Sequence, residues 1–141
     1  EPADDFIERG VDAEPDAEAQ LDSLIVNLNE PPSLLRTDLK GKQNWIKVKL
    51  EGVKSNRSAI GARVLAHYGG KVQAQAVLSQ SSFYSCNDSR LHFGLGGFAS
   101  VDLDIYWPNG LHEKYKGLSA NQLITLREGS GIVKNKGWAR T

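Results

Sequence analysis

Val101-Asp102-Leu103-Asp104-Ile105-Tyr106-Trp107 alternates apolar and polar residues without a break. A period of two is that of a strand, so Val101, Leu103, Ile105 and Trp107 share one face and Asp102, Asp104 and Tyr106 the other. Pro108-Asn109-Gly110 ends the run as a turn. The same alternation marks Trp45-Ile46-Lys47-Val48-Lys49-Leu50, with Ile46, Val48 and Leu50 inward and the two lysines wet. Residues 60–67 and 72–78 form the next pair of strands, joined through Tyr68-Gly69-Gly70-Lys71, whose glycines supply the positive φ of a tight hairpin. Residues 91–95 predict a short strand and residues 122–128 the last one. After Trp45 no stretch keeps a 3.6-residue apolar period long enough for a helix. The predicted fold is therefore all-β: an antiparallel β-sandwich or barrel-like domain, preceded by an extended acidic N-terminal arm.

Ahead of that body, the pattern predicts a helix over about residues 15–24, with Pro15 near its first turn, or a strand over residues 24–28. Pro31-Pro32 ends whichever forms. The 141 residues carry 17 Lys and Arg against 17 Asp and Glu, and this balance excludes a global attraction to nucleic acid. The balance conceals a split. Residues 1–22 hold nine acids and one base, a net charge of −8, which leaves +8 on residues 23–141. Such a segment is either a solvated leader or an arm that folds back or reaches a neighbouring copy. The single cysteine, Cys86, cannot form an internal disulfide, and no apolar run is long enough to span a membrane. The absence of methionine and the start at Glu1 suggest a processed N-terminus whose signal peptide has been removed.

Little in the chain advertises catalysis. His67, His92 and His112 have no metal-ligand spacing. Ser82, Ser85 and Cys86 lack a nucleophile elbow or a placed base, so Cys86 is expected to pack as a small apolar residue. Asp102 and Asp104 share one wet strand face, whereas glycoside hydrolysis requires carboxylates that oppose each other across a cleft. Gly94, Gly96 and Gly97 lack the strand–turn–helix frame of a phosphate loop and fit a bulge or corner. Asn56-Arg57-Ser58 and Asn87-Asp88-Ser89 match the glycosylation sequon, which matters only in a host that glycosylates.

Five segments in order carry a resemblance: residues 44–50 (NWIKVKL), 55–62 (SNRSAIGA), 87–96 (NDSRLHFGLG), 102–110 (DLDIYWPNG) and 121–123 (NQL). Together they resemble the ASPIC/UnbV domain over about residues 44–128. That family is found at the C-terminal end of secreted proteins that carry FG-GAP/VCBS propeller repeats, cartilage acidic proteins among them. The resemblance divides the chain into an arm over residues 1–36, similar to the tail of a degenerate repeat, and an ASPIC/UnbV-like β domain over residues 37–141.

The resemblance further implies a non-catalytic, extracellular interaction or adhesion module, or a structural subunit assembling through its arm with copies of itself or a protein partner. The alternatives are a carbohydrate-binding module and, with least support, a hydrolase accessory domain. Binding is expected on the loops. Asn56, Arg57, Asn87, Asp88, Arg90 and His92 supply polar groups there, with Tyr84 and Trp107 as aromatic platforms; ion pairing among Arg57, Asp88 and Arg90 is the structural alternative. No cofactor is expected beyond calcium. The repeat's calcium loop would fall on Glu14, Asp16, Glu18 and Asp22, but Ala19 replaces its turn glycine and Pro15 stiffens it.

Overall fold

A computed structural model describes residues 23–36, 43–80, 83–84 and 87–137. These fall into two compact units, 23–36 and 43–137. The described residues contain ten strands and no helix: β1 (Ser23–Ile25), β2 (Ser33–Leu35), β3 (Asn44–Glu51), β4 (Arg63–Tyr68), β5 (Lys71–Ala76), β6 (Leu91–Gly96), β7 (Ser100–Tyr106), β8 (His112–Ser119), β9 (Gln122–Arg127) and β10 (Gly131–Gly137). The first unit is the antiparallel hairpin β1–β2. Asn27 stabilises its turn, its Nδ2 donating to Pro31 O at 2.9 Å and to Ser33 Oγ at 3.1 Å. Most of the predicted helix over 15–24 lies outside the described residues; its last two, Ser23 and Leu24, are strand.

The second unit is a sandwich of two four-stranded sheets, ordered β10-β9-β3-β6 and β5-β4-β7-β8. Alternation decides which side chains meet between them. Ile46, Val48, Phe93, Leu95, Ile124 and Leu126 face inward from the first sheet, and Val64, Ala66, Leu103 and Ile105 from the second; none is more than 1% exposed. Each large side chain among them contributes about 1.5–3 kcal/mol by leaving water. The all-β sandwich is as predicted, with one addition: β3 and β9 run parallel, Ile46 opposite Gln122 through Glu51 opposite Arg127. Two strands joined by a tight turn must be antiparallel, but the entire second sheet intervenes here and frees the direction of return.

Besides β2 of the hairpin, two strands of the sandwich were not predicted. β8 and β10 lie at sheet edges, and their sequences HEKYKGLS and GIVKNKG offer scarcely any apolar alternation. Lysine-rich edges of this kind discourage unwanted strand pairing. The hairpin at Gly69-Gly70 forms as read, with φ of +51° and +75°. Residues 60–62 are a turn rather than the start of β4, since Ala59 and Gly61 adopt φ of +54° and +93°.

The two sheets are also bridged along one side. Gln73 and Gln75 of β5 donate their Nε2 groups to the backbone carbonyls of Gly94 (3.0 Å) and His92 (2.6 Å) in β6. Those carbonyls belong to the strand's outer edge, which has no ladder partner among the described residues.

Candidate functional site

At one end of the sandwich, the loop over residues 52–62 wraps around a carboxylate. Glu128 follows β9 and is only 4% exposed. Its Oε2 accepts from three consecutive amides, Val53 (2.7 Å), Lys54 (2.9 Å) and Ser55 (2.8 Å), while Oε1 accepts from Ser55 Oγ at 3.3 Å and from Asn109 Nδ2. Burial pushes its carboxyl pKa up, yet the amides of Ser55, Val53 and Lys54 together bring it below the ordinary glutamate range. Glu113 performs a similar service nearby, accepting from Trp107 Nε1 (2.5 Å), Tyr115 Oη (3.2 Å) and the Gly129 amide (3.4 Å). Burial and the neighbouring Glu113 push the Tyr115 hydroxyl up to about 12.

The same anchoring shapes the Ser55-Asn56-Arg57-Ser58 stretch. Asn56 brackets the turn, its Oδ1 accepting from the Ile60 amide and its Nδ2 donating to the Ile60 carbonyl, both at 2.8 Å. Gly52 is required because a Cβ there would stand 2.1 Å from the Asn56 carbonyl oxygen. Arg57 is left exposed at the loop surface. Glu128 and Asn109 were not singled out in the sequence, because no local pattern shows that a residue after the ninth strand receives amides some 75 positions earlier.

The remaining predicted site residues are dispersed. Asp88 and Arg90 pair with each other, Nη2 to Oδ2 at 2.6 Å and Nε to Oδ2 at 2.7 Å, and the Arg90 guanidinium holds the Asp88 carboxyl below its usual range. Asn87 is exposed beside them. His92 stacks on Trp45 across the β3–β6 pair, with centroids 5.9 Å apart at 12°. Its Nδ1 is buried without a hydrogen-bond partner, and burial, then Lys47, lowers its pKa. Tyr84 is 89% exposed at φ +50°, edge-on to Phe83 at 4.4 Å.

Trp107 is a correction. It is 3% exposed and packs in the core, as its place in the inward set Val101, Leu103 and Ile105 requires, so it cannot serve as a platform. Its outward neighbour Tyr106 is covered as well, stacked on His112 at 4.2 Å and lying under Arg63. Glu14, Asp16, Glu18 and Asp22, and also Ser82, Ser85 and Cys86, lie outside the described residues. Among the described residues no group of three or more His, Cys, Asp or Glu could hold a metal ion. The wet-face aspartates are structural: Asp102 Oδ1 accepts from the Gly117 amide at 2.7 Å across a bulge, and Asp104 lies 3.2 Å from His67 Nε2 and 3.6 Å from Lys114 Nζ.

The outer face of β10-β9-β3-β6 has a different character. It forms a groove of about 890 Å³ with Leu123 and Thr125 as its floor. Lys49, Arg90, Arg127, Lys134 and Lys136 line it together with the carboxylates Glu51 and Asp88. Glu51 pairs with Lys49 (3.4 Å) and Arg127 (3.1 Å), and the Arg127 hydrogen bond, then that to Lys49, holds its pKa down.

Searches of curated proteins and of solved structures find no match to the chain. A family comparison does: the description "ASPIC and UnbV" matches residues 52–133. That span runs from the Glu128-anchored loop to β10 and covers more than half of the chain, which therefore belongs to the ASPIC and UnbV family.

Proposed function

We propose that the chain is a non-catalytic, extracytoplasmic protein-interaction module that associates with copies of itself. One observation carries the reading. Phe83 and Tyr84 are 85% and 89% exposed, adjacent and held in an edge-on pair, and Tyr84 has a φ of +50°, which a non-glycine residue adopts only at a cost of about 1–3 kcal/mol. Paired aromatics presented to solvent are the usual energetic anchors of protein contacts. The hairpin adds to this, with Leu24, Val26, Leu28, Leu34 and Leu35 all more than half exposed. By contrast, Glu128, Glu113 and the Asp88–Arg90 pair have their partners within the fold.

The test is sedimentation of the full chain over about a hundredfold range of concentration, beside Phe83→Ser/Tyr84→Ser. A concentration-dependent increase in mass that the double variant weakens by at least about tenfold, or 1.4 kcal/mol, is the expected result. A monomer throughout overturns self-association. Glycan-array binding that disappears with Tyr84→Ser would favour the carbohydrate alternative.

A further inference from the structure

We propose that the groove on the β10-β9-β3-β6 face is a docking site for the acidic segment 12–18 of a second copy of the chain. The proposal deepens the self-association reading by naming one of its contacts. It starts from the arrangement of charge. Six cationic side chains, Lys47, Lys49, Arg90, Arg127, Lys134 and Lys136, lie on this face or at its margin, against two carboxylates, Glu51 and Asp88. Lys47 and Lys134 make no ion pair among the described residues.

Register turns these cations into two rows. Lys47 and Lys49 stand two residues apart on β3, and Lys134 and Lys136 two residues apart on β10. The strand between them sets Lys47 opposite Leu123, Lys49 opposite Thr125, Lys134 opposite Thr125 and Lys136 opposite Leu123. The rows are therefore parallel, separated by two strand spacings, about 10 Å, with ammonium groups repeating every 6.8 Å or so along each row. Thr125 is only 7% exposed although it points outward, as expected beneath the stems of Lys49 and Lys134.

The complementary pattern exists in the same sequence. Asp12, Glu14, Asp16 and Glu18 alternate with Ala13, Pro15 and Ala17. In an extended chain, such alternation puts four carboxylates on one face at the same repeat of about 6.8 Å and only small residues on the other. Pro15 suits that conformation, since it fixes its own φ and steers Glu14 toward extended backbone. A chain lying along the channel over Leu123 and Thr125 would seat two successive carboxylates between facing ammonium pairs, Lys47 with Lys136 and Lys49 with Lys134, and bring a third to the level of Arg127. The net charge of −8 on residues 1–22 supplies long-range attraction, and the matching period supplies register.

The test uses the full chain carrying Asp12→Asn, Glu14→Gln, Asp16→Asn and Glu18→Gln, so that its own segment does not compete, and a fluorescent synthetic peptide of residues 8–22. The peptide is expected to bind at low salt, to weaken at least tenfold when Lys134→Glu and Lys136→Glu are added, and to be released in 1 M salt, where the screening length is about 3 Å. A peptide of equal charge with its acids placed contiguously should bind at least tenfold more weakly. Absence of binding at low salt overturns the proposal, as does equal binding of both peptides. Peptide binding combined with a wild-type chain that stays monomeric overturns the assignment to a second copy. If the wild type assembles through Phe83 and Tyr84 while no peptide binds, the docking proposal fails and the self-association reading stands.

Discussion

Glu128 Oε2 lies 2.7 Å from the amide nitrogen of Val53, a contact that ties the end of the ninth strand to the loop leaving the third. Lys54 and Ser55 place their amides on the same oxygen. One carboxylate thus determines the path of the Ser55-Asn56-Arg57-Ser58 loop. Glu128→Gln removes the charge and replaces an acceptor oxygen with a donor group. The expected outcome is a lower melting temperature, with amide-exchange protection of Val53, Lys54 and Ser55 reduced at least about tenfold while strand β7 keeps its own. Unchanged protection in the loop would refute the anchoring role.

Burial separates two neighbouring aromatics. Trp107→Ala should destabilise by about 3–5 kcal/mol, in the range of large core truncations, because Trp107 is 3% exposed and donates to Glu113. Tyr106→Ala, on the outer face, should cost about 1 kcal/mol or less through lost stacking. Urea unfolding measures both, and midpoints that move at constant slope would show that stability alone has changed.

Stability should fall on mild acidification. His92 has a folded pKa below its unfolded value of about 6.5, owing to burial and then Lys47. Near neutral pH both states hold it uncharged; below the unfolded value the unfolded chain takes up the proton first, so stability declines as pH drops from about 6.5 through the lower folded value. Glu128, also depressed, adds a second loss below the ordinary glutamate range, as its carboxylate becomes protonated. Thermal unfolding at pH 7 and pH 5 is expected to show the histidine component and His92→Gln to reduce it. An identical decline in that variant would reject His92 as its source.

The Tyr68–Lys71 turn should tolerate alanine unequally. Gly70 has open space around its Cβ position, so Gly70→Ala meets only the penalty of positive φ, about 1–2 kcal/mol. At Gly69 the new Cβ would stand 2.0 Å from the Phe98 ring, which must swing away from its edge contact with Tyr68. Gly69→Ala should therefore melt lower than Gly70→Ala, and equal melting temperatures would contradict the packing of Phe98.

The parts legible in sequence are those where one face is dry. Ile46, Val48 and Leu50, or Val101, Leu103 and Ile105, announce a strand because each alternate residue meets the opposite sheet. The same parity already places Trp107 inside, and that observation outweighs its appeal as an exposed aromatic. β8 and β10 could not be read this way, since an edge strand obtains its definition from backbone pairing rather than from a buried face. The parallel β3–β9 pair and the Glu128 anchor are likewise properties of the returning chain, which no window of neighbouring residues encodes. The Asp88–Arg90 pair, two positions apart, was visible because its partners are local.

The glutamine amides on β6 give the sandwich a polarity. With the carbonyls of His92 and Gly94 occupied by Gln75 and Gln73, an incoming ribbon finds that flank shut. β10, at the far side of the same sheet, is protected differently, by the lysines Lys134 and Lys136 of its edge. Both flanks are thereby guarded, one by hydrogen bonds already made and the other by charge, and edge-to-edge stacking of this sheet is disfavoured from either side.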